Sequence, residues 1–346
     1  MVRRRYMGMR KWALLVVVLA VACSQSASNV ATQARLASPS PTPSDRPVAT
    51  VDFTCRLPVS IAPQPGSSSY QGGFISFPSG KLRIDPAGAG GRYYDMAFSK
   101  WLPVERDSVA PDGRHYAFGA QTADNKPLLH VVSVPSGSDR VYSLPSDMYD
   151  AIGGIYVIDF QPNTVYMGLF VEGGIIGIWA LNLTTAQTVK LSGPENAWVM
   201  DGSVVWGSGF NQADSNPLSF PPGFRANEVE RFDISEGSTT TWLYRPGNLV
   251  GVMGVDRAHH PIVGVLIDKD TAELLLLLDA KTQQTIYRGS SNSWIGNIDT
   301  IGGGIISDSH GLWMGSGPYG LYLYSADAGV QRVSDLQSVR PANGCF

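Results

Sequence analysis

The residues to test first for chemistry are those that could act in pairs. His259 and His260 are adjacent, with Asp256 three residues before His259. Adjacent side chains on a strand point to opposite faces, so the two imidazoles share a metal only if a turn folds them together. The plainer expectation is a polar loop between two strands. His115, His130 and His310 are scattered, and no Cys-x-x-Cys or His-Glu-x-x-His spacing occurs. No metal and no cofactor are therefore expected. A nucleophilic serine would need a Gly-x-Ser-x-Gly elbow. Gly207-Ser208-Gly209 and Gly315-Ser316-Gly317 are the nearest strings, and neither has the five-residue form. Asp201, Asp256, Asp299 and Asp308 fall near expected strand ends and could pair for acid–base work at a shared mouth. Asp at such positions also caps turns by bonding to its own local backbone, which is the simpler reading. No catalytic residue is assigned. The expectation is a non-catalytic binding or scaffold module, with an enzyme of lyase or glycosidase type as the alternative.

Aromatic residues carry the binding expectation. Trp198, Trp206, Trp242, Trp294 and Trp313, with Tyr93, Tyr94, Tyr149 and Tyr319, lie close to expected turns or strand starts. Large rigid rings suit glycan, peptide or protein recognition because they bury area at small entropic cost. Most are expected to pack inside the fold. The candidate binding rim is Tyr93 and Tyr94, together with Phe210, Phe220 and Phe224 around a Pro-rich insert.

The elements that must position these residues are strands. Six copies of a hairpin pattern occupy residues 73–84, 130–141, 179–189, 230–240, 276–286 and 322–333. In each, an apolar strand meets a turn of small or polar residues and a more polar strand follows. The turns centre near Gly80, Gly137, Ala186, Gly237, Thr282 and Gly329, 45 to 57 residues apart. An all-strand period of roughly 40–50 residues is that of propeller blades. The chain has 38 Gly and 23 Pro, and no long segment shows a helical apolar rhythm. The expected fold is all-β, a six-bladed β-propeller, with five or seven blades as neighbouring possibilities. Residues 101–104 are expected as the first strand of the second repeat. The five leucines at 274–278 are expected as a fully buried strand.

The ends read as address and tether. Arg3, Arg4, Arg5, Arg10 and Lys11 precede an apolar run at residues 12–22. Eleven helical residues span about 16 Å, too short for a bilayer core of about 30 Å, so a signal peptide is expected over residues 1–22. Leu19-Ala-Val-Ala-Cys23 is similar to a bacterial lipobox, which implies cleavage before Cys23 and a lipid on its thiol. Residues 23–51 are rich in Ser, Pro, Thr and Ala and are expected to be a disordered tether. Residues 52–346 form the expected propeller domain, taken as monomeric. These readings place the chain outside the cytoplasm, held to the outer face of a bacterial membrane by lipid. Loss of residues 1–22 removes five basic and no acidic residues, moving the net charge from −3 to −8. That excludes nucleic acid as a natural partner. Of three cysteines, Cys55 and Cys345 remain after lipidation, one at each end of the domain. A closed ring brings its ends together, so a Cys55–Cys345 bridge is expected in a disulfide-permissive compartment.

Residues 108–118, Ser-Val-Ala-Pro-Asp-Gly-Arg-His-Tyr-Ala-Phe, resemble a blade motif of TolB-type and WD-like propellers. Residues 307–321, with His-Gly-Leu-Trp-Met-Gly, are similar to a repeat of sensor-type propellers. The pattern from Cys-Arg-Leu-Pro-Val at 55–59 to Trp-Leu-Pro-Val at 101–104 resembles uncharacterised secreted propellers of bacteria. The resemblance implies a fold and a compartment and supplies no activity.

Overall fold

A computed structural model describes residues 47–63, 69–148, 154–171, 174–211, 226–268, 270–290 and 305–346. The expected signal peptide, Cys23 and most of the expected tether lie outside the described residues, as do Phe220, Phe224, Tyr149, Trp294 and Asp299. The described chain forms a six-bladed β-propeller. All strand pairings inside its sheets are antiparallel.

Blade 1 has the strand order Val339–Pro341, Cys55–Ile61, Gln71–Phe77, Lys81–Ala89. Blade 2 is built from His115–Gln121, Pro127–Ser133 and Asp139–Ser143, with Val109 bridging Tyr116 on its inner edge. Blades 3 and 4 share one continuous sheet. The long strand Thr188–Asp201 pairs with Gly174–Asn182 from Thr188 to Leu191 and, past an irregularity, at Asn196, and it pairs with Val204–Gly209 from Asn196 onward, so it ends one blade and begins the next. Blade 5 runs Leu249–Val255, Pro261–Leu266, Thr271–Leu277, Gln283–Ser290, and blade 6 runs Ile305–Asp308, Gly311–Ser316, Gly320–Ser325, Gly329–Ser334. The last strands of blades 1, 2 and 5 are the most exposed of their sheets, as in Gln283–Ser290, and so lie outermost.

The ring closes on its own ends. Val339–Pro341 enters blade 1 as its innermost strand, with Val59 opposite Pro341 and Ile61 opposite Val339. Arg56 and Phe346 exchange backbone hydrogen bonds at 2.8 and 3.1 Å, and Cys55 is disulfide-bonded to Cys345 with Cα atoms 5.7 Å apart.

Strand alternation supplies a separate apolar layer to each seam between blades. Leu275 and Leu277 pack toward blade 4 with Val250, Val252 and Trp206, while Leu274 and Leu276 pack toward blade 6 with Leu312 and Met314. A strand sandwiched on both faces reads as a continuous apolar run. Leu278 departs from expectation: it lies past the strand end, in the turn, and is 37% exposed.

The residues at 101–104 correct a second expectation. Lys100–Leu102 pairs with Tyr93–Asp95 in a separate two-stranded ribbon, outside the sheet of blade 2. Trp101 is buried against Phe74 and Tyr94, packing the ribbon onto blade 1. A Cβ on Gly72 would lie 2.4 Å from the Trp101 ring, so glycine is needed there for the indole to seat. The inserted ribbon also explains why the first repeat step is the longest.

Candidate functional site

The histidine pair does not converge. His259 Nδ1 is hydrogen-bonded to the Asp201 carboxylate at 2.8 Å, joining the end of the first strand of blade 4 to a turn of blade 5. His260 Nδ1 instead contacts Asp256 at 3.1 Å, and Asp256 also accepts the backbone N–H groups of Ala258 and His260. Asp308 accepts Trp313 Nε1 and the amides of His310 and Cys345, each at 2.7 Å. Asp256 and Asp308 cap their local turns, while Asp201 is engaged by the His259 side chain. Among the described residues no group of three or more His, Cys, Asp or Glu could hold a metal. Ser208 and Ser316 are buried at the ends of strands and present no exposed nucleophile.

The rim residues that can be placed mostly pack. Tyr94 is buried among Phe74, Trp101 and Ala342, and Phe346 stacks on it at 5.9 Å, so it offers no free face. Tyr93 is half-buried and its Oη accepts a hydrogen bond from Asn343 Nδ2 at 2.9 Å. Phe210 is half-buried where the second strand of blade 4 ends. Trp206 meets Trp242 edge-on at 4.6 Å, and Trp313 is fully buried.

What the structure does assemble is a polar network on the inner strands of blades 1 to 3. Arg340 stands in the middle of the closing strand, and its Nη2 donates to Glu105 Oε1 at 2.7 Å. Arg92 pairs with the same carboxylate oxygen. Both guanidinium groups lie over the Tyr70 ring, at 4.6 Å for Arg92 and 4.9 Å for Arg340. Glu105 and Arg340 are buried, each with a side chain only 8% exposed. Beside Glu105, the short 3-10 turn Arg106–Ser108 carries Arg106 and Asp107 on the inner edge of blade 2.

Blade 3 adds Tyr156 and Asp159 from its first strand, Gly154–Gln161. A bulge makes this possible. Asp159 is opposite Tyr166 and Val157 opposite Met167, so Ile158 has no partner residue across the strand pair. The extra residue shifts the alternation. Val157 and Phe160 pack in the layer toward blade 2, while Ile158 packs toward blade 4 and Gln161 donates at 2.7 Å to the Gly202 carbonyl of that blade.

The electrostatics follow from enclosure. Burial drives the Tyr156 hydroxyl well above its usual range, with Asp107 and Glu105 adding to the rise and Arg340 and Arg92 opposing it. Burial raises the Asp107 carboxyl, and Arg106 opposes that rise. Asp159 is raised from 3.8 to about 6, chiefly by burial; a hydrogen bond from Gln161 opposes this and the charge of Asp107 adds to it.

A stability prediction follows from Asp159. The folded protein holds its proton more tightly than the unfolded chain does. The associated stability is therefore full below about pH 4, falls as pH rises, and is gone above about pH 6. Asp159→Asn removes the cost of the buried charge. It should stabilise the protein by about 1–2 kcal/mol at pH 7.5 and give no such gain at pH 4. Thermal midpoints at both pH values check this; an equal gain at each would contradict it.

Beside the network lies a cleft of about 310 Å³, lined by Ala62, Tyr70, Gly315, Gly317, Ser338 and Arg340. A Cβ on Gly315 would approach Arg340 Cα to 2.8 Å, so glycine there lets the closing strand sit close to blade 6. A second cleft of about 550 Å³ lies between blades 2 and 3, walled by His115, Asp139, Arg140, Tyr142, Asn163 and Thr184.

No single segment could have revealed the inner network. Its one local signal is the charged run Glu105-Arg106-Asp107 directly after an apolar stretch. Fold and site together define a six-bladed β-propeller with a charged cluster on its inner strands. No family model and no curated protein matches the sequence. Similar solved structures include TolB from Acinetobacter baumannii, with TM-score 0.45 and 12% identity over 85% of this chain and 68% of that one. A protein from Lactobacillus plantarum has TM-score 0.43 and 12% identity over 83% of this chain and 99% of that one. Dipeptidyl peptidase 4 from Porphyromonas gingivalis has TM-score 0.36 and 10% identity over 80% of this chain, which spans 46% of that enzyme. Likeness at this level carries nothing about ligand or activity.

Proposed function

We propose that this chain is an extracytoplasmic lipoprotein whose propeller is a non-catalytic binding or scaffold module for a protein or small ligand, tethered to a membrane through Cys23. The inner network carries the binding part of the reading. Buried ion pairs give little net stability, because desolvation offsets their attraction. A ring that gathers Arg92, Glu105 and Arg340, with Arg340 and Tyr70 lining an open cleft, supports a binding role for this face. The basic n-region, the short apolar run and the lipobox-like Leu19-Ala-Val-Ala-Cys23 support the tether.

Labelled fatty acid fed to cells expressing the full-length protein tests the tether. Label should enter the wild-type chain and be lost in Cys23→Ala, which should also leave the membrane fraction. An unlabelled wild-type chain would refute the anchoring.

One observation favours the enzyme alternative. Asp107, on the 3-10 turn of blade 2, and Asp159, on the first strand of blade 3, are two carboxylates with raised proton affinity, an arrangement suited to acid–base chemistry of lyase or glycosidase type. Turnover of a glycan by the wild-type protein, abolished in Asp159→Asn, would replace the binding reading.

A further inference from the structure

We infer that the cleft of about 550 Å³ between blades 2 and 3 binds a neutral polyhydroxylated ligand, a sugar of one or two rings. The site goes beyond the binding-module reading. It shares no residue with the inner network and gives a second face of the propeller a ligand class.

Strand alternation builds the cleft. His115 is opposite Ser133, and Ala117, Val131 and Arg140 stand in one row across blade 2, so these side chains share the face turned to blade 3. Val131, Tyr142 and Phe160 belong to the buried layer of that seam, with Leu183 packed against it. Past this layer the same face turns polar. His115, Ser133 and Arg140 of blade 2 meet Asn163 and Thr184, which stand on two turns of blade 3. The seam thus opens into a pocket with an apolar floor and a polar rim, the usual make-up of a small-molecule site, and its volume has room for one or two rings.

Availability is the second argument. Among the described residues the side chains of His115, Ser133, Asn163 and Thr184 have no hydrogen-bond partner, and the Arg140 guanidinium rests over the Tyr142 ring at 4.7 Å. Tyr142 is itself fixed, its hydroxyl donating to the Leu183 carbonyl at 3.1 Å. Hydroxyl and amide side chains both donate and accept, as does a neutral imidazole. That mixed set matches sugar hydroxyls, which also do both, while the C–H face of a pyranose suits the apolar floor.

Charge is the third. Of the lining residues, Asp139 and Arg140 carry fixed charges, one of each sign, so the rim has no formal excess to draw an anion or a cation. His130 Nδ1 contacts Asp139 Oδ2 at 2.7 Å, which leaves that count unchanged while the imidazole is neutral.

The test is isothermal titration of purified full-length protein with glucose, galactose, N-acetylglucosamine, maltose and cellobiose. Succinate and tetramethylammonium serve as charged probes. Saturable one-site binding of at least one sugar is expected, its affinity constant within about twofold from low to high salt. Asn163→Ala and Thr184→Ala, both on exposed turns, should each weaken it by about three- to tenfold. Ser133→Tyr, which puts a ring into the cleft, should abolish it. Thr239→Ala, on the exposed outer strand of blade 4, should leave it unchanged. Binding of no sugar, or sugar affinity unmoved by Asn163→Ala, Thr184→Ala and Ser133→Tyr alike, would overturn the inference. Binding of succinate or tetramethylammonium without any sugar would also overturn it, while leaving the module reading in place. Turnover of a bound sugar would instead sink the non-catalytic reading and keep the sugar site.

Discussion

Replacing Cys55 and Cys345 together with serine should lower the thermal midpoint by about 6–12 °C. The bridge spans a sequence separation of 290 residues, almost the whole domain. Closing so long a loop in the unfolded chain gives about 5–6 kcal/mol on the chain-entropy model, and measured bridges give about 2–4. At roughly 2–4 °C per kcal/mol for large domains, the lower figure already yields the stated shift. The place of the bridge sharpens the expectation. The closing strand Val339–Pro341 makes three residue pairs with blade 1, supported by backbone bonds between Arg56 and Phe346 and from Ala342 N to Pro58 O. A seam that short should open before the rest of the ring once the covalent link is gone. Hydrogen exchange should then show the amides of Arg56, Ala342 and Phe346 losing protection first, at temperatures where the leucine strand of blade 5 stays protected. Scanning calorimetry of oxidised wild type against the double variant measures the main effect. A midpoint shift below about 2 °C would mean the ring closes well without its staple.

The ring was legible in the sequence because each blade repeats the same local problem. Five of the six expected turn centres, Gly80, Gly137, Ala186, Gly237 and Gly329, have positive φ between 57° and 69°. A tight turn between the outer two strands needs that conformation, and glycine adopts it without strain. The sixth turn is held differently: the Asp279 carboxylate accepts the amides of Lys281 and Thr282 at 2.7 and 2.9 Å. Threonine at its centre was therefore no break in the pattern. The leucine run was legible for a related reason, since a strand between two blades has no polar face.

Radial position was not legible. Glu105 and Arg340 are 235 residues apart, and each is one charged residue among many along the chain. Alternation tells which seam a side chain faces, but not how far it stands from the axis. The bulge at Ile158 breaks even that alternation, so Asp159 could not be assigned a side. Tyr94 failed as a rim residue for a different cause. Proximity to a turn suggested exposure, but the inserted ribbon folds Trp101 against it and Phe346 covers it from the closing end.

Glu105→Ala should be the most damaging single substitution in the inner network, at about 3–5 kcal/mol. Its carboxylate is the shared partner of two guanidinium groups, one of them on a side chain only 8% exposed. Removing it deprives the buried Arg340 of this carboxylate, and breaking a buried pair from one side costs about that much. Arg340→Met should cost less, about 1–2 kcal/mol, because Glu105 keeps Arg92 as its counterion. The double variant Glu105→Leu with Arg340→Met separates electrostatic from packing loss. With both charges gone and apolar volume restored, it should lie within about 2 kcal/mol of wild type, well short of the sum of the single costs. Urea unfolding with an unchanged m-value measures all three. Strict additivity would mean that the two residues do not interact energetically, and that the contact at 2.7 Å contributes only shape. Strong coupling would make Glu105 the residue that holds both arginines in place over Tyr70.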